Sequence, residues 1–111
     1  MEQRPWGEFE ILCRDNKFVI KKLKVYPGKR TSLQYHNHRE EYWIVLEGEG
    51  KVIKGDKTLD VKKGDFVKID VKEKHRIENI GDRDLIILEV WVGDVLDEGD
   101  IVRLEDDYGR T

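Results

Sequence analysis

Tyr35-His36-Asn37-His38-Arg39-Glu40-Glu41 sets two histidines one residue apart and a carboxylate three positions after the second. On a strand, residues i and i+2 share a face, so this spacing predicts that His36 and His38 project side by side. The third and last histidine of the chain opens a strand-like run further on, His75-Arg76-Ile77-Glu78-Asn79. If that run packs against the first, three imidazole nitrogens and one carboxylate oxygen converge. Such ligands suit zinc, manganese, iron, cobalt or nickel, and three or four protein ligands leave positions open for chemistry. A lone histidine is more often a surface or hydrogen-bonded core residue. Three of three at ligand spacing point instead to a divalent metal ion.

Outward from this stretch, short β-branched and aromatic runs alternate with Gly, Asp and Asn turns every eight to twelve residues. No helix-length amphipathic pattern with caps occurs before residue 94. This is the pattern of an all-β sandwich or barrel. The expected strands are Glu8–Arg14, Phe18–Val25, Thr31–His36, Glu41–Glu47, Gly50–Ile53, Lys57–Val61, Asp65–Ile69, His75–Asn79 and Leu85–Val92, with one more over Ile101–Leu104. Gly55-Asp56 reads as a tight hairpin turn, and Lys63-Gly64-Asp65 and Gly81-Asp82 as further turns. Trp6, in Arg4-Pro5-Trp6-Gly7, is expected to pack onto the barrel.

The 111 residues are read as a single domain, 1–111, of a size that buries one core. Hydrophobic residues make up 38% of the chain and charged ones 41%, so the low mean hydropathy describes a charged exterior rather than disorder. The net charge is −3 with no basic stripe, which argues against nucleic acid as a partner. Cys13 is the only cysteine, so no intrachain disulfide forms. Neither a secretion signal nor the ~18 apolar residues of a membrane span is read. The expectation is a soluble cytoplasmic protein that makes no membrane contact. A homodimer that covers exposed strand edges is expected as well.

Two segments resemble the two motifs of the cupin superfamily: Gly28, His36-x-His38-x-x-Glu41 and Gly48, then Gly64, Asp70, His75 and Asn79. The chain is more similar still to the type II mannose-6-phosphate isomerase domain. That domain forms the C-terminal part of bifunctional mannose-1-phosphate guanylyltransferases. Arg4-Pro5-Trp6-Gly7, Pro27-Gly28, Ser32-Leu33-Gln34, His36 through Trp43, His75 through Asn79, Glu89-Val90, Asp100 through Arg103 and Tyr108-Gly109-Arg110 carry the resemblance. It implies a double-stranded β-helix, or jelly-roll barrel, with a divalent metal (zinc, manganese, cobalt or iron) in one mouth. Its ligands would be His36, His38, Glu41 and His75, the four that the spacing reaches. Glu41 is preferred to Glu40 because it keeps the six-residue interval to Gly48. Gly28, Gly48 and Gly64 would serve turns and close strand approach. The chain departs from the second motif by holding Asp70 and Lys72 where Pro and Gly are usual. The guanylyltransferase activity of the longer proteins is not carried over.

The implied reaction interconverts mannose 6-phosphate and fructose 6-phosphate by moving a proton between C1 and C2. Glu89 is the sole carboxylate of the apolar run Leu85–Trp91. Facing the barrel it is a proton shuttle with a raised pKa; facing solvent it is an ordinary strand carboxylate. Gln34 shares parity with His36 and is a candidate for substrate hydroxyls or for orienting a ligand. Among the cations available for the phosphate, Arg110 in the family-like ending ranks first, with Lys22, Arg30 and Arg103 beside it. Trp43 and Trp91 offer faces to a sugar or pack the core. Two other readings compete: a metal- and sugar-binding cupin without turnover, and a cupin dioxygenase.

Overall fold

The computed structural model describes residues 2–111, and these form eleven strands. They are β1 (Glu2–Arg4), β2 (Gly7–Arg14), β3 (Phe18–Val25), β4 (Leu33–Tyr35), β5 (Arg39–Glu47), β6 (Glu49–Lys54), β7 (Lys57–Lys62), β8 (Phe66–Ile69), β9 (His75–Asn79), β10 (Leu85–Gly93) and β11 (Val102–Glu105). Two antiparallel sheets hold them, in the orders β1-β2-β3-β10-β5-β8 and β11-β4-β9-β6-β7. The interleaving of late strands between early ones is that of a jelly roll, and no helix occurs among the described residues.

Alternation along the three central strands builds the interior. Val19, Lys21, Leu23 and Val25 of β3 face inward, as do Arg39, Glu41, Trp43 and Val45 of β5 and Leu85, Ile87, Glu89 and Trp91 of β10. At one end these rows are apolar and close on Trp6, Phe9, Val52, Ile69 and Ile77. At the other end they turn polar. The same period-2 pattern therefore makes a closed hydrophobic base and a mouth lined with charge.

Trp6 joins the core as expected. Gly28, Gly48 and Gly64 all have positive φ. At Gly48 a side chain would also meet the carbonyl oxygen of Asp84 at 2.8 Å, so glycine there serves both the turn and the close approach of β10. Gly55-Asp56 closes the two-residue β6–β7 hairpin with Gly55 at φ +59. Two elements differ from the sequence reading. β1 was not foreseen, because Glu2-Gln3-Arg4 has no apolar alternation. The expected strand Thr31–His36 shrinks to Leu33–Tyr35, since Thr31 instead bonds across to Ile77 of β9.

The loop before β9 explains the departure at Lys72. Lys72 is the one non-glycine residue with positive φ among those described, at +64, and its N–H donates to the His36 carbonyl at 2.7 Å. The backbone thus keeps a left-handed turn that favours glycine, and a lysine occupies it at a cost. Lys72→Gly is expected to stabilise the fold by about 0.5–1 kcal/mol, less than the full relief because glycine also loosens the unfolded chain. A urea midpoint at or below that of the parent would contradict this.

Candidate metal centre and cavity

Three buried side chains meet where β4, β5 and β9 come together. His36, Glu41 and His75 offer ligand atoms that lie within 4.8 Å of one another. Glu41 faces inward on β5, His75 opens β9, and His36 follows directly on β4. His36 Nε2 lies 3.1 Å from Glu41 Oε2, and the two imidazole centroids are 4.9 Å apart.

Hydrogen bonds set the tautomers. His36 Nδ1 is 2.6 Å from the Asp100 carbonyl, and His75 Nδ1 is 3.0 Å from the Glu73 carbonyl. A carbonyl only accepts, so both Nδ1 atoms carry the proton and both Nε2 atoms present a lone pair to the cluster. Burial pushes both imidazoles down, His36 to about 4, so they are neutral at pH 7. Burial alone would raise the Glu41 carboxyl. The adjacent imidazoles and the Arg39 guanidinium outweigh it and hold Glu41 at about 2. His75 Nε2 is buried and has no hydrogen-bond partner. An orphaned lone pair beside a second lone pair and a carboxylate fits a divalent cation.

His38 does not belong to this cluster. The chain leaves β4 after Tyr35 and bends at Asn37-His38, so the strand parity that predicted its place does not apply, and its side chain is exposed. Buried Asp100 fixes the bend by accepting the N–H groups of Asn37 and His38 at 2.9 and 3.0 Å. The i, i+2 pair that shares the interior is Gln34 and His36. Gln34 stands opposite His75 in the β4–β9 register and accepts the Ser32 hydroxyl at 2.9 Å.

Gln34, His36 and Glu41 line a cavity of about 140 Å³ together with Lys21, Arg39, Glu89 and Trp91, and with Glu98, Arg103 and Arg110 from the C-terminal segment. Glu89 faces inward, which resolves its two readings in favour of burial. Burial pushes its carboxyl up to about 8; the negative charge of Glu41 adds to this, and Lys21 on the neighbouring strand opposes it. The Trp91 indole N–H donates to Glu89 Oε1. Lys21 reaches out to Glu98 at 3.2 Å. Arg110 is at the wall but holds Asp106 with Nε and a terminal nitrogen, at 2.7 and 3.0 Å.

Two candidates for the phosphate lie elsewhere. Lys22 has the outward parity of β3, so Lys21 takes the inward place. Arg30 is tied to Asp107 at 2.7 and 2.8 Å, outside the cavity. Sequence reasoning overlooked Lys21 and Arg39. Arg39 donates Nε to Glu41 Oε2 at 2.8 Å and lies 3.5 Å over the Trp91 ring, a cation held by both a carboxylate and an aromatic face. The signal that picked out Glu89, one charge in an inward apolar row, was present for Lys21 between Val19 and Leu23.

Comparison with known proteins decides the family. The family model described as mannose-6-phosphate isomerase, C-terminal, matches residues 2–106. The chain belongs to this family. It is 44% identical over 108 residues to the alginate biosynthesis protein AlgA of Pseudomonas aeruginosa, covering 97% of this chain and 22% of that protein. Similarity to the xanthan biosynthesis protein XanB of Xanthomonas campestris is 42% over 108 residues, covering 97% and 23%. Isomerase-family membership thus links the chain to a segment of less than a quarter of those relatives. Among solved structures, a Klebsiella pneumoniae protein with a double-stranded β-helix domain superposes with TM-score 0.81 at 19% identity, covering 96% of this chain and 90% of that one. A predicted oxalate decarboxylase of Thermotoga maritima superposes with TM-score 0.74 at 31% identity, covering 77% and 78%. The fold is the cupin double-stranded β-helix.

Proposed function

We propose that this domain is a metal-dependent sugar-phosphate isomerase that interconverts mannose 6-phosphate and fructose 6-phosphate. The observation that carries the reading is the orphaned His75 Nε2 beside His36 and Glu41, which themselves line one cavity with Glu89, a carboxyl held up at about 8. His36, Glu41 and His75 would hold a divalent cation, with the Gln34 amide oxygen completing the set from the strand opposite His75. When bound, the cation supplies Lewis-acid polarisation of the sugar carbonyl.

The chain's own residues supply the rest. Glu89 takes the proton from C2 of the open-chain aldose and returns it to C1, while the hydroxyl proton passes from O2 to O1. A carboxyl held near 8 has both its acid and its base form within reach at physiological pH. Trp91 fixes one Glu89 oxygen and leaves the other free. Lys21 and Arg39 add positive charge where enediolate charge develops. Ile101 and Glu98 form part of the cavity wall, and Glu98 pairs with Lys21 there.

A second reading, a metal- and sugar-binding domain without turnover, draws on one observation: the matched segment is only 22–23% of the relatives just described. Metal analysis followed by an assay with mannose 6-phosphate separates the two. Turnover with zinc, manganese or cobalt restored is expected. Metal and sugar-phosphate binding with no turnover would give the second reading. Oxygen uptake with iron restored would point to the dioxygenase class instead.

A further inference from the structure

Three arginines, Arg4, Arg103 and Arg110, line the side of the cavity built by the two ends of the chain. Two of them already hold an anion. Arg4 pairs with Glu2 at 3.0 Å and stacks 4.7 Å from the Phe9 centroid. Arg110 engages both oxygens of Asp106 with its guanidinium, and its backbone N–H donates to the same carboxylate at 2.7 Å. Arg103 differs: its Nε is buried and has no acceptor among the described residues. A buried guanidinium N–H without a partner is costly, because it has given up water without gaining an acceptor. Native folds pair nearly all such groups, so an unpaired one that lines a cavity marks a place for an acceptor from outside.

The sheet register places this acceptor relative to the metal centre. Arg103 on β11 stands opposite Gln34 on β4, and Gln34 stands opposite His75 on β9. Two strand spacings, about 10 Å, separate the backbones of Arg103 and His75 along one row of the sheet. An open six-carbon sugar has a comparable span, with its reacting carbonyl at one end and its phosphate ester at the other.

We propose that Arg103 is the phosphate anchor of the cavity, taking the phosphomonoester on its guanidinium fork and so directing the far end of the sugar to the His36–Glu41–His75 cluster. The identity of the sugar rests on the isomerase reading; the anion site does not. Asp106 occupies Arg110 on both oxygens, which leaves Arg103 the guanidinium open to a bidentate contact. The site thereby selects phosphorylated over free sugars.

Titration of inorganic phosphate into the full chain, followed by phosphorus NMR or calorimetry, tests this. The parent chain is expected to bind phosphate, and Arg103→Met to bind it about 10- to 100-fold more weakly. Arg110→Met is expected to lose less. Mannose 6-phosphate should follow the same order, with metal content unchanged in each variant. Should Arg103→Met fail to fold, Arg103→Lys keeps the charge but not the fork and is expected to bind about tenfold more weakly. A parent chain that binds no phosphate overturns the proposal. So does unchanged affinity in the Arg103 variants, or a larger loss in Arg110→Met. Phosphate binding that depends on Arg103 in a chain without isomerase turnover would sink the isomerase reading and leave the anchor in place. Turnover with phosphate affinity indifferent to Arg103 would do the opposite.

Discussion

His75→Ala is expected to abolish stoichiometric binding of a divalent cation, whereas His38→Ala keeps it in full. The two histidines separate the geometry from the motif. His75 is fully enclosed, its Nδ1–H is committed to the Glu73 carbonyl, and its Nε2 lies beside His36 and Glu41 without a hydrogen-bond partner. His38 completes the H-x-H spelling but lies outside, on a bend that Asp100 fixes through the backbone. Loss of a residue that merely orients a ligand commonly lowers metal affinity about 10- to 100-fold, so loss of a ligand should exceed that. Both imidazoles are already neutral at pH 7 and meet the cation without first releasing a proton. Glu41→Gln is a poorer probe. It would leave Arg39 as a buried cation without its partner, a change worth about 3–5 kcal/mol of stability, and unfolding would mask the metal effect. Metal analysis after dialysis reads the result directly. Full occupancy in His75→Ala would dismantle the centre; lost occupancy in His38→Ala would restore the motif reading.

The fold was legible in the sequence because period-2 alternation and turn residues act locally. Phe18–Val25 and His75–Asn79 were read to the residue, and the Gly55-Asp56 hairpin sits where its turn chemistry demands. Of the cluster, His36, Glu41 and His75 were legible from ligand chemistry and spacing. His38 was misplaced because parity holds only while a chain stays extended. What ends β4 is a carboxylate sixty-odd residues away, Asp100, and such a long-range cap leaves no local trace. Ranking the phosphate candidates met a related difficulty. Arg30 and Arg110 look free in the sequence but are claimed by Asp107 and Asp106 in the fold, while Arg103 is not. Which cation stays unpaired depends on tertiary partners. Residue type and spacing do not reveal it.

Glu89→Gln is expected to lower kcat for mannose 6-phosphate about 10²- to 10⁴-fold, the usual weight of a general acid–base group, with metal content unchanged. The substitution is nearly isosteric, and the amide oxygen can still accept the Trp91 indole N–H, so packing should hold. A second readout needs no activity. In the metal-free protein the folded carboxyl titrates near 8 and the unfolded one near 4.5. Between those values the native chain keeps a proton that the unfolded chain has released. Stability contributed by this group is therefore complete below pH 4.5 and is lost as pH rises through 8, with a limiting slope of about 1.4 kcal/mol per pH unit. Glu89→Gln should remove that slope, which urea denaturation at pH 5.5, 6.5 and 7.5 would show. Suppose instead that the parent shows no such decline and the variant keeps its kcat. Glu89 would then be ionised in the native state through its cross-strand neighbour Lys21, and proton transfer would need a different group.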